Sequence, residues 1–347
     1  MTADSATELP TAPEQLRHVL RTHYGVTATG LAPLTGGLDR AAQTFRIEPE
    51  SGPDLVLRVS LGRPRREVYA VPYEVRLSGV DDVVAPLPAG TGALFVHAAG
   101  VTWSLYPFID GVDGWTRALS GGDWRRLGET LRAVHGVDPG PFTGMRCPDR
   151  DVTPYDVLPR WDRRLREDPE LADFWRQYRP ATAAMLEQMR ALQQRSRPGT
   201  AVLCHGDLHP GNILLAGNRP HLIDWDDVLL SAKERDFIFV PHDDRPTDTG
   251  PLPLDAEFLN GYGIAAGDVD WAALTYFRCE RVVQDVLVEW ESAASGGARA
   301  RAAAVDLLRG AFSPGGEADA ARAAARHLPA DLDLLSPAVG YAEPPAG

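Results

Sequence analysis

The chain has 347 residues, 44% of them hydrophobic and 24% charged, with a formal net charge of −13; that length exceeds one compact core and predicts two lobes in a soluble globular protein. No basic stripe of the kind nucleic-acid binders carry is present, and no apolar run reaches the ~18–20 residues of a membrane helix, which excludes both partner classes. Three cysteines, Cys147, Cys204 and Cys279, are far apart and lack metal-ligand spacing, so they predict a reducing, cytoplasmic setting without a disulfide framework or a zinc site.

In chain order, Met1 to Pro13 is rich in Ser, Thr, Ala and Pro and reads as a frayed tail, not a secretory signal. Residues 13–24 read as a helix, with Pro13 in its first turn, Leu16, Val19, Leu20 and Tyr24 at helical spacing, and Gly25 as its stop. From Ala28 to Ser60 the pattern turns to strands: Thr44 to Ile47 alternates, Leu55 to Val59 is β-rich, and a turn-rich loop, Glu48 to Pro53, joins them. A short helix over Glu67 to Leu77 is followed by strand-like pieces at Val83-Val84, Ala93 to His97 and Val101 to Tyr106. Tyr106 to Gly111 breaks the pattern, and the chain then becomes helical. Asp123 can cap a helix with Trp124, Leu127, Leu131 and Val134 on its apolar face. A long helix near 170–195 carries Met and aromatic residues best read as core. Short strands at Ala201 to Cys204 and His221 to Ile223 precede helices near 255–262, 271–293 and 298–311. The expected organisation is α+β: a sheet-rich lobe at 1–107, a hinge at Tyr106, and a mainly helical lobe at 108–347, with a ligand between them.

The chemistry lies in Val202-Leu203-Cys204-His205-Gly206-Asp207-Leu208-His209-Pro210-Gly211-Asn212-Ile213-Leu214-Leu215. An apolar strand ends at His205, a polar loop offers Asp207 and Asn212, and a second apolar run follows. Leu222-Ile223-Asp224-Trp225-Asp226 then repeats the theme of an apolar strand ending in a carboxylate. A hard cation such as Mg²⁺ takes a few protein oxygens and leaves its other positions to phosphate and water. Asn212 and Asp224 supply such oxygens, and Asp207 is left to orient a substrate hydroxyl and accept its proton. Phosphoryl transfer requires this layout, because it depends on positioning and charge neutralisation and needs little covalent work from the protein.

With His205, Asp207 and Asn212 matching H-x-D-x-x-x-x-N, and Ile223-Asp224-Trp225-Asp226 matching an I-D-W-D-like metal motif, the chain resembles the aminoglycoside phosphotransferase family, whose fold is that of protein kinases. The resemblance spans roughly residues 30–310 and is nearest to the spectinomycin branch, through Leu105 to Ile109, Asp227, Ala232 to Asp236, and Tyr276 to Val283. It implies a small antiparallel-sheet lobe, a larger helical lobe, and transfer of the γ-phosphoryl group of ATP or GTP, with Mg²⁺, to an antibiotic hydroxyl. It implies that Gly36 and Gly37 cover the phosphates and that Tyr106, Phe108 and Ile109 form the hinge that meets the base. Arg58 stands where kinases carry a phosphate-binding Lys, with Glu67 as its expected partner and Glu74 as the alternative. His205 braces the loop and Asp236 supports it.

For a cationic acceptor, which the acidic balance favours, the expected carboxylates are Asp226, Asp227, Glu280 and Asp285; the plain alternative for each is a solvated charge. Two other readings stay open: a kinase of a metabolite such as choline, a sugar or a methylthio-sugar, and a nucleotide-binding pseudokinase, for which Arg58 is the only support.

Overall fold

The computed structural model describes residues 9, 12–34, 42–62, 64–98, 100–142, 144–145, 157–164, 168–193, 200–241 and 254–335. The chain divides into two compact units, one of residues 1–145 with 205–228 and the other of residues 146–204 with 229–347. Gly36, Gly37, Cys147 and the expected N-terminal tail up to residue 8 lie outside the described residues.

The first unit opens with α1 (Pro13–Val19), which widens into a last turn over Leu20–Tyr24 and ends at Gly25. Gly25 has a φ of 67°, a left-handed stop that glycine takes at little cost. A five-stranded antiparallel sheet follows, built from β1 (Ala28–Leu34), β2 (Ala42–Pro49), β3 (Leu55–Leu61), β4 (Val96–Ala98) and β5 (Val101–Pro107), in the order β1-β2-β3-β5-β4. Alternation along β3 sends Leu55, Leu57 and Val59 to one face, where they join Leu16, Leu20, Phe45, Ile47, Trp103 and Leu105 in a core under α1. The same alternation sends Arg58 to the opposite face, in register between Thr44 and Ser104.

Helix α2 (Arg66–Leu77) follows β3 and carries Pro72 inside it. The strand expected at Val83-Val84 is a single parallel bridge, Val83 to Leu222, extended by Val84 N–H donating to Leu222 O at 3.0 Å. Further on are β6 (Val112–Asp113) and α3 (Gly121–His135). The cap of α3 is Ser120, not Asp123: Asp123 is the reciprocal member of a capping box, its carboxylate accepting the Ser120 N–H at 2.9 Å. Leu127, Leu131 and Val134 are buried as the spacing requires.

The second unit is mainly helical, with α4 (Val157–Arg164), α5 (Pro169–Gln193) and β7 (Val202–Cys204). The first unit resumes with β8 (Ile213–Ala216) and β9 (Arg219–Leu222), and the second with β10 (Leu229–Ser231), α6 (Ala256–Tyr262), α7 (Trp271–Ser295), α8 (Ala298–Phe312) and α9 (Glu317–Ala325). β6, β8 and β9 form one small sheet and β7 pairs with β10 in another. In the helical unit Trp290 of α7 is fully buried against Trp161, Phe174 and Trp175, so the aromatic residues of α5 are core. Helix α9 was not legible in the sequence; its Ala318, Ala321, Ala324 and Ala325 are fully buried. No helix among the described residues is long and apolar enough to cross a membrane.

Candidate active site

Segment 205–212 enters β8, and β9 leads to Asp224, so the hairpin β8-β9 sets the two polar loops side by side within the first unit. His205 is completely buried and joins them. Its Nε2 lies 2.8 Å from the carbonyl of Ile223 and therefore donates, which leaves Nδ1 to accept the Asp207 N–H at 3.4 Å. Trp225 packs on the imidazole, with ring centroids 4.7 Å apart.

Asn212 is also buried and takes part in the same knot. Its Nδ2 donates to the Asp207 carbonyl at 2.8 Å, its N–H donates to His209 O at 2.8 Å, and its carbonyl accepts the Ile223 N–H at 3.0 Å. With Nδ2 committed, Oδ1 is the end of the amide suited to a cation. Both backbone groups of Ile223 are thus held by the loop 205–212, and the next residue, Asp224, has a φ of 59°. It is the only non-glycine residue with positive φ among the described residues. Such a conformation costs ~1–3 kcal/mol and persists where the surroundings over-determine it; Asp tolerates it better than most residues.

Burial raises the Asp224 carboxyl above its ordinary value, Arg58 opposes that, and the charges of Asp226 and Asp207 add to it. Asn212 Oδ1 and the Asp224 carboxylate are hard oxygens of the kind Mg²⁺ favours, whereas both oxygens of Asp226 are taken up by Arg58.

Arg58 meets this cluster from β3. Its NH1 donates to Asp226 Oδ1 at 2.7 Å and its NH2 donates to Asp226 Oδ2, a bidentate clamp, and NH1 lies 3.5 Å from Asp224 Oδ1. The Arg58 side chain is 14% exposed; although burial opposes its charge, the Asp226 bond and the Asp224 charge hold its pKa above the ordinary value. Arg65 fixes the backbone of the same loop, donating to the carbonyls of Asp226 and Val228 at 3.0 Å each. Asp226 was expected at the acceptor, and Glu67 was expected to hold Arg58. In the structure Asp226 takes the guanidinium, and Glu67 sits half-buried in the first turn of α2. The pairing joins residues 168 positions apart, which no local pattern reveals.

Asp227 is exposed. In the helical unit Glu280 is buried and bound to Arg235, and Asp285 pairs with Arg281 at 2.7 Å one turn away. Each of these charges is therefore matched within the chain. Asp236 is buried in a tight turn over Lys233–Phe237. In the hinge, Phe108 donates its N–H to Asp54 O at 3.0 Å and its ring lies under Arg46, so that N–H is unavailable to a base. Tyr106 and Ile109 are partly buried, and burial pushes the Tyr106 hydroxyl above its ordinary value.

The loops 205–212 and 223–226, joined through His205, and Arg58 of β3, bound to the second of them, form one polar site. The chain belongs to the phosphotransferase enzyme family, whose model matches residues 31–277. Spectinomycin phosphotransferase APH(9)-Ia, in complex with ADP and spectinomycin, is similar with a TM-score of 0.75 and 24% identity, covering 90% of this chain and 98% of that one. A thermostable mutant of aminoglycoside phosphotransferase APH(4)-Ia, with AMP-PNP and hygromycin B, gives 0.53 and 16%, with 86% and 100% covered. Amicoumacin kinase hAmiN, in complex with AMP-PNP, Ca²⁺ and Ami, gives 0.54 and 14%, with 86% and 92% covered. No curated protein matches the chain. The α+β kinase-like fold expected from the motifs is the observed one.

Proposed function

We propose that this phosphotransferase moves the γ-phosphoryl group of ATP or GTP to a hydroxyl of an aminocyclitol or aminoglycoside antibiotic of the spectinomycin type, for resistance or self-protection. The observation that carries the reading is the His205 bridge, which locks Asp207 and Asp224 onto adjoining loops. In this reading Asp207 orients the acceptor hydroxyl and takes its proton, as a positioned base near the surface. Its side chain is 22% exposed and so open to a substrate. Asn212 Oδ1 and Asp224 are the metal-facing oxygens, and Arg58, steadied by Asp226, faces the phosphates. Bound Mg²⁺ would supply charge neutralisation on the transferring phosphoryl group. The sheet-rich segment 1–107 would hold the nucleotide and the rest of the chain the acceptor. A net charge of −13 favours a cationic acceptor.

The test is a mass-spectrometric acceptor screen with Mg²⁺ and ATP or GTP, covering spectinomycin, hygromycin B, choline and neutral sugars. Gain of one phosphoryl group on an aminocyclitol is the expected result. Transfer only to choline or a sugar would replace the antibiotic reading with a metabolite kinase. Nucleotide binding without transfer or hydrolysis would leave a binding module.

A further inference from the structure

The most exposed large apolar side chain among the described residues is Trp115, 69% accessible, and it is held in a built position against His209. Its turn is fixed by Asp113, whose Oδ1 accepts the N–H groups of Trp115 and Thr116 at 2.9 and 2.7 Å. The turn is fastened to the catalytic loop: β6 pairs with β8, and Gly114 N–H donates to Pro210 O at 2.9 Å and to Ile213 O at 3.1 Å. Two glycines make the approach possible. A Cβ on Gly114 would sit 2.8 Å from Pro210 O, and one on Gly211 would sit 2.7 Å from Trp115 Nε1 and 2.8 Å from His209 Cε1. The indole stacks on the His209 ring at 6.0 Å and 29°, and His209 Nε2 lies 3.8 Å from Asp207 Oδ2. A continuous path therefore runs from an open aromatic face, through His209, to the proposed base.

We propose that Trp115 is a specificity-determining residue that stacks the ring of the phosphoryl acceptor, and that it selects a saturated polyhydroxylated ring bearing protonated amines. This rests on the phosphotransferase reading above. A hydroxyl at Asp207 places the remainder of its own ring over the neighbouring surface, and the indole is the apolar part of that surface. The π face attracts an ammonium group or the positive C–H face of a saturated ring, and the indole does so best among side chains. A rigid indole loses little freedom on binding, and the Asp113 turn has already restricted it.

The experiment compares Trp115→Ala, Trp115→Phe and wild type with spectinomycin, myo-inositol and choline as probes. Trp115→Ala raises the spectinomycin KM by ~5–30-fold and leaves the nucleotide KM and the thermal midpoint in place. Trp115→Phe recovers most of the loss, and the neutral ring myo-inositol, which offers only its C–H face, changes less than spectinomycin or the quaternary ammonium choline. A parallel rise in nucleotide KM, or a fall in kcat at constant acceptor KM, would overturn the proposal, since either would mean that the indole only holds the catalytic loop. An unchanged acceptor KM would overturn it as well. Calorimetry of spectinomycin binding in the presence of Mg–ADP separates this idea from the reading beneath it. Binding that weakens in Trp115→Ala without any phosphoryl transfer in wild type retains the stacking site and removes the reaction; no binding of any amine-bearing ring to wild type removes the stacking site.

Discussion

Replacing Asp226 removes the bidentate partner of a largely buried cation, and the asymmetry of the Arg58–Asp226 pair sets the expected size of the effect. The Arg58 side chain is 14% exposed, and that of Asp226 is 45% exposed. Fully buried pairs lose ~3–5 kcal/mol when one partner is removed, and exposed pairs are worth ~0.2–1 kcal/mol. With one end desolvated and the other wet, Asp226→Ala should cost about 2 kcal/mol, because the guanidinium loses two charge-assisted bonds and gains little water. Arg58→Met, which keeps the stem, should cost less, about 1 kcal/mol, since water can reach the released carboxylate. Arg65 holds the Asp226 and Val228 carbonyls in every variant, so the loop backbone stays in place and the difference reports the side chains. The assay is denaturant unfolding of the ligand-free protein in a double-mutant cycle, followed by a probe in the first unit because multi-unit chains need not unfold in one step. Coupling above ~1 kcal/mol is expected. Single losses that add to within ~0.3–0.5 kcal/mol, or an Arg58→Met penalty exceeding that of Asp226→Ala, would refute the reasoning.

Asp207→Ala or Asp207→Asn should lower kcat by ~10²–10⁴-fold while nucleotide affinity stays near wild type in calorimetry, since the proposed role of the side chain is toward the acceptor hydroxyl and not the nucleotide. Asp224→Ala should remove Mg²⁺-dependent activity more completely than Asn212→Ala in rate-against-Mg²⁺ curves, because a carboxylate neutralises a dication and an amide only coordinates it. Gly206 has a φ of 90° between His205 and Asp207, so Gly206→Ala should lower both the thermal midpoint and kcat; an unchanged midpoint would show that the turn accepts a side chain. Burial lowers the His221 pKa below its ordinary value, against the pull of Asp82. The unfolded chain therefore binds the proton more tightly, and this stability is complete above the ordinary histidine value of about 6.5 and is lost as pH falls through that value toward the folded one. His221→Gln should flatten the acid limb of stability against pH.

The parts of the site that were legible in the sequence are those made by neighbours along the chain. The strand–loop–strand run through His205, Asp207 and Asn212 sets its own geometry, because β8 and β9 form a hairpin whose register follows from the turn between them. Alternation in Leu55 to Val59 fixed the face that Arg58 occupies, but not its partner, since a pairing across 168 positions leaves no local trace. Glu280 and Asp285 looked alike by composition and differ by burial: Glu280 is buried with Arg235, and Asp285 pairs along its own helix. Asp123 was read as a cap, though Ser120 holds that position, because both members of a capping box favour helix starts. Helix α9 escaped notice because its alanines carry no apolar stripe of large side chains; they pack by being small.

The same accounting explains why the strained residue is Asp224 and not a neighbour. Ile223 has one N–H and one C=O, and both go to the loop 205–212, the first to Asn212 O at 3.0 Å and the second to His205 Nε2 at 2.8 Å. Trp225 is buried and packs on His205 from the other side. Two fixed points one residue apart leave Asp224 to absorb the change in chain direction, which it does at φ 59°. Its side chain is thereby turned away from the buried ones and keeps 45% of its surface, within 3.5 Å of Arg58. The strain, ~1–3 kcal/mol, is offset by two backbone bonds and an aromatic contact. A local conformation that looks unfavourable in isolation is what holds the carboxylate out toward its cation while its neighbours on both sides stay in the core.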